Sequence, residues 1–76
     1  MQISLNSLNT YEIKVFGQLE GSWLGSFGEA ETHTEILGDK SKVTTISNVI
    51  MDQAGLVGLV RRLHGLGIVL LSIRQV

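Results

Sequence analysis

The last third of the chain, DQAGLVGLVRRLHGLGIVLLSIRQV, constrains the fold more than any other stretch. Asp52 stands where a helix would begin, and an aspartate there accepts bonds from the first unpaired N–H groups and suits the positive helix end. Leu56, Leu59, Val60, Leu63 and Leu66 follow at helical spacing, within about 120° of one face at 100° per residue. Gly58, Arg61 and Arg62 lie off that stripe. Gly67 suits the left-handed conformation that ends a helix, with Leu66 packing back. A helix over Asp52–Leu66 is therefore expected. Ile68–Val76 then reads as a strand with Val69, Leu71 and Ile73 inward. Its other face, Ile68 and Leu70, is apolar at first and turns polar at Ser72 and Arg74.

Upstream, Tyr11–Leu19 alternates as a half-buried strand does. Tyr11, Ile13, Val15 and Leu19 point one way and Glu12, Lys14 and Gln18 the other, with Phe16 breaking the polar side. In the segment GSWLGSFG, Trp23 and Phe27 stand four apart, which favours one or two loose helical turns. Glu29–Leu37 and Lys42–Ile50, rich in Thr, Ile and Val, read as a hairpin around Gly38, Asp39, Lys40 and Ser41. Residues 1–10 read as a tail or an edge strand ahead of a single α+β domain over 11–76. A sheet covered on one face by helices buries these stripes economically. The expected fold is a two-layer α+β sandwich, a ferredoxin-like βαββαβ plait with a short first helix. A crossover between parallel strands usually takes a dozen or more residues, and Glu20–Gly28 offers about nine. If that is too few, the alternative is a three-stranded meander followed by helix and strand.

Size and composition narrow the function. An 8.3 kDa chain is expected to expose roughly 4,600 Å² when folded and to bury about 60% of its open surface. That supports one thin core, with no deep cleft unless a second subunit adds a wall. There is no cysteine, so disulfides and thiolate metal sites are excluded. Hydrophobic residues reach 43%, charged residues only 17%, and mean hydropathy is +0.27. Charged residues average about 25% in soluble domains, so self-association is expected, most simply as a homodimer. Phe16, Ile68 and Leu70 are the candidate contacts. A net charge of −1 gives no field to draw nucleic acid or acidic lipid. The aromatics on which RNA-binding plaits stack bases are missing from Lys42–Ile50. No apolar run nears the roughly 18 residues of a membrane span. MQISLNSLNT lacks a basic flank and a signal-type stretch, so a cytoplasmic location is expected.

Asp52–Ile73, DQAGLVGLVRRLHGLGIVLLSI, resembles the C-terminal motif of a family of small bacterial proteins without known activity. That motif runs D-Q-A-x-L-x-G-L-L-x-x-I-x-x-L-G-L-x-L-L-S-V, often after an opening strand like YEIKVFGQL and a Trp-containing turn. Asp52, Gln53, Ala54, Leu56, Gly58, Leu59, Leu66, Gly67, Leu70, Leu71 and Ser72 match it directly. Val57 stands where the family often has histidine or tyrosine, so no role for that side chain carries over. The resemblance implies the order of elements and supplies no mechanism.

Few residues suggest chemistry. Glu31, His33 and Glu35 alternate on one strand face, within about 7 Å of their neighbours. Such a row could hold a divalent metal or tune a histidine for acid–base work. It reads equally as the wet side of a half-buried sheet, and no metal or other cofactor is expected. Arg61, Arg62 and His64 form a small basic patch suited to a phosphate or acidic partner, or simply to the negative helix end. Asp52 and Gln53 are explained by capping. The glycines at 17, 21, 25 and 28 lack the GK[ST] ending of a phosphate loop. The leading expectation is a non-catalytic, self-associating module for a protein partner or small ligand. The second is a small enzyme or ligand-binding protein with an intersubunit polar site around Glu31, His33 and Glu35.

Overall fold

Alternation of apolar and polar side chains makes β1 (Asn9–Phe16) the strand around which the sheet is built. The computed structural model describes residues 7–19 and 30–76, and the GSWLGSFG segment with Trp23 and Phe27 lies outside them. Tyr11, Ile13 and Val15 are buried on one face of β1, while Lys14 and Phe16 are exposed on the other. Gly17 takes φ +100°, open to glycine and strained for other residues, and β1 stops there rather than running to Leu19. The Thr44 hydroxyl donates to the Gly17 carbonyl at 2.7 Å. That leaves its oxygen to accept from the Thr34 hydroxyl at 3.1 Å, tying three strands at this level.

β2 (Glu31–Ile36) and β3 (Lys42–Met51) form the expected hairpin. Its loop is closed by Leu37 N–H donating to the Ser41 carbonyl at 2.7 Å, with Lys40 at φ 68°. Asp39 Oδ1 accepts the Ser41 N–H at 3.0 Å. That bond, helped by one with the Ser41 side chain, holds the Asp39 carboxyl below its ordinary range.

α1 (Gln53–Gly65) begins as expected: Asp52 Oδ1 accepts the Gly55 N–H at 2.8 Å. At its end, Gly67 N–H bonds the His64 carbonyl and Ile68 N–H the Leu63 carbonyl, both at 3.0 Å, with Gly67 at φ 74°. This paired closure brings the second residue past the cap back onto the third from the end. Ile68, not Leu66, therefore packs back onto the core, and Leu66 is 57% exposed. The chain then enters β4 (Leu70–Gln75).

The structure is α+β, with a four-stranded antiparallel sheet in the order β2-β3-β1-β4 and one helix among the described residues. The βαββαβ order of a ferredoxin-like plait is not matched over these residues, where a single helix follows β3. The meander alternative fails too, because β3 rather than β2 lies beside β1. Its premise was too short a connection. β1 ends early and β2 starts at Glu31, so fourteen residues separate them.

Ile13, Val15, Ile46 and Val49 have no exposed surface, and Leu59 and Leu63 of α1 close over them. Two β-bulges decide which residues reach this core. Tyr11 faces Val49 while Ile13 faces Ile46, so β3 carries one extra residue, and Asn48 takes it up at φ 59°. Asparagine visits this region more readily than most residues. Past the bulge Val49 turns inward and Ile50 outward, where it is 62% exposed. On β4, Lys14 faces Ser72 but Val15 faces Leu70, making Leu71 the extra residue. Strict alternation puts Val69 and Leu71 inside. The bulge instead seats Ile68 and Leu70 against the core and leaves Val69 57% and Leu71 48% exposed.

Asn48→Val should cost about 1–2 kcal/mol because a β-branched residue resists this conformation, whereas Asn48→Gly should be nearly neutral. Urea denaturation of the two variants checks this. Leu63→Ala should cost about 2–5 kcal/mol by opening a cavity under α1, read as a lowered thermal midpoint.

Candidate functional site

β2 and β4 form the two edges of the sheet, and each carries residues the sequence singles out. On β2, Glu31, His33 and Glu35 stand opposite Ser47, Thr45 and Val43, on the face away from Ile46. His33 Nε2 and Glu35 Oε1 are 3.9 Å apart, with side chains 74% and 64% exposed. A contact this long and open to water contributes little. Among the described residues, no three His, Asp or Glu side chains converge as metal ligands would. The alternation places the row on one face as expected, where His33 and Glu35 stand open to water.

Of the basic patch, Arg61, Arg62 and His64 are all on the exposed surface of α1, with Arg62 and His64 in its last turn. Their positions suit the negative end of the helix. His64 has a second setting. It borders an open, largely apolar groove of about 450 Å³ between the end of α1 and the start of β4, with Val60, Leu63, Ile68, Val69 and Leu70.

β4 is the more apolar edge. Leu71 and Ile73 are 48% and 37% exposed, Val69 just ahead of them is 57% exposed, and so is Leu66 at the end of α1. Phe16, 49% exposed, bonds through its N–H to the Val69 carbonyl at 2.9 Å and lies alongside. Of the three expected contact residues, Phe16 is thus at the surface. Ile68 and Leu70 are half-buried against the core, and Val69 and Leu71 take their outward places. The one charge on β4, Arg74, bonds to Glu12 at 3.2 Å, so this edge has little net charge.

The groove and the outward turn of Val69 and Leu71 were not predicted. A run of consecutive apolar residues, Ile68–Leu71, cannot reveal by alternation which member is a bulge. His33→Ala should shift stability by no more than about 0.5 kcal/mol, as at other open surface positions. Zinc should leave the thermal midpoint unmoved, and a zinc-dependent rise that His33→Ala abolishes would restore the metal-site reading.

A family model described as Domain of unknown function (DUF8691) matches residues 10–74. No curated protein and no solved structure matches the chain.

Proposed function

The chain belongs to the family described as Domain of unknown function (DUF8691), and from its geometry we propose a non-catalytic module that associates with itself. In this reading the assembled form, a homodimer in the cytoplasm, presents a surface to a protein partner or small ligand. One observation carries it. Leu66 at the end of α1 and Val69, Leu71 and Ile73 along β4 are each exposed, and an apolar groove lies between the two elements. Exposed apolar patches rimmed by polar residues mark interaction surfaces. The 17% share of charged residues supports the same reading, since few charges oppose association. No described helix is long and apolar enough to cross a membrane, which is compatible with the proposed location.

A catalytic reading around Glu31, His33 and Glu35 has less support, because that row is open to water and no third group converges on it among the described residues. Light scattering after gel filtration tests the proposal. Near 100 µM the particle should weigh about 17 kDa, twice the 8.3 kDa chain, and Leu71→Arg should return it toward the single-chain mass. A wild-type mass of one chain throughout the concentration range would overturn it.

A further inference from the structure

Resting on that reading, we propose that the second copy docks by strand addition at the outer edge of β4, which pairs with no further strand among the described residues, antiparallel about a two-fold axis at Ile73. The backbone supplies the first reason. Val76 N–H donates to the Thr10 carbonyl at 2.9 Å, so Val76 faces β1. By the alternation of an antiparallel ladder, Arg74 and Ser72 also face β1, while Gln75 and Ile73 turn their N–H and C=O groups to the open edge. An open edge is a template for another strand.

Charge separates the two edges. β2, ETHTEI, carries two carboxylates and no lysine or arginine, so joining two copies there gathers four carboxylates on one short ribbon. β4, LLSIRQ, carries only Arg74, already balanced by Glu12. Like charges directly opposite are destabilising across strands, and this selects the register on β4. Centred on Ile73, Arg74 faces Ser72 of the other copy and Leu71 faces Gln75. Centred on Arg74, the two guanidinium groups would oppose each other.

Ile73 shares a side with Ile13, the side covered by α1. The two Ile73 side chains would therefore meet on the helix face, and the two sheets would join edge to edge with the two copies of α1 on the same side. One six-residue edge gives a small interface, below about 1,200 Å² in total. The dimer should accordingly form at micromolar rather than nanomolar concentration.

The chain has no cysteine, so single-cysteine variants report on one edge each. In a backbone-paired antiparallel site the Cα atoms lie about 5.5 Å apart, within the span a disulfide bridges. Under mild oxidation at 50–100 µM, Ile73→Cys should yield a covalent dimer and His33→Cys, on β2, should yield little. Mass measurement of the unoxidised wild type runs beside them. A wild-type dimer in which His33→Cys crosslinks and Ile73→Cys does not would overturn strand addition at β4 while leaving self-association standing. A monomeric wild type with neither variant crosslinked would overturn both. If Ile73→Cys fails to fold, Gln75→Lys replaces it: its added charge faces the other copy's Leu71, and dimerisation should weaken at least several-fold, with no change overturning the register.

Discussion

The width of one helix is the constraint on which the described structure depends. A helix is about 10 Å across, while neighbouring strands lie roughly 4.8 Å apart, so α1 shelters about two strands of a four-stranded sheet. The buried side chains follow that geometry. Tyr11, Ile13 and Val15 come from β1, Thr44, Ile46 and Val49 from β3, and Leu59 and Leu63 from α1. β2 and β4 contribute no buried residue. Their different chemistry, two carboxylates on β2 and mostly apolar side chains on β4, distinguishes the two edges.

Holding α1 over that strip needs both of its ends. Asp52 fixes the start through one charged hydrogen bond, and the left-handed turn at Gly67 fixes the stop. The same closure delivers Ile68 to the core and aims the chain into β4. Bulges at Asn48 and Leu71 then adjust which residues enter the narrow buried strip. A bulge adds one residue and reverses the alternation beyond it. Through Leu71, this local irregularity is what leaves an apolar edge exposed.

Much of this was readable from sequence where one residue type has one physical use. Aspartate before a leucine stripe and glycine after it located α1 to within a residue at each end. Alternation in Tyr11–Val15 identified the inward face of β1. The errors came where alternation is degenerate. Ile68–Leu71 has no polar member to mark a face, so alternation alone hides the bulge and points Val69 and Leu71 inward. Helical spacing alone puts Leu66 on the buried stripe, because it does not register that α1 has already ended. The pairing of β1 with β3 depends on how much chain separates β1 from β2, which strand ends misjudged by two or three residues obscured. Of the candidate site, the Glu31, His33 and Glu35 row was legible as a row; its open setting on an edge was not, because strand order is a tertiary property.

Whether β4 is where two copies meet can be read at individual backbone amides. Hydrogen exchange resolved by NMR at 10 µM and at 500 µM compares the outward-facing N–H groups of Ile73 and Gln75 with that of Thr34 on β2. Protection at Ile73 and Gln75 that grows with concentration, while Thr34 stays unchanged, is the expected result. Equal exchange at both concentrations, or protection appearing on β2 instead, would contradict it.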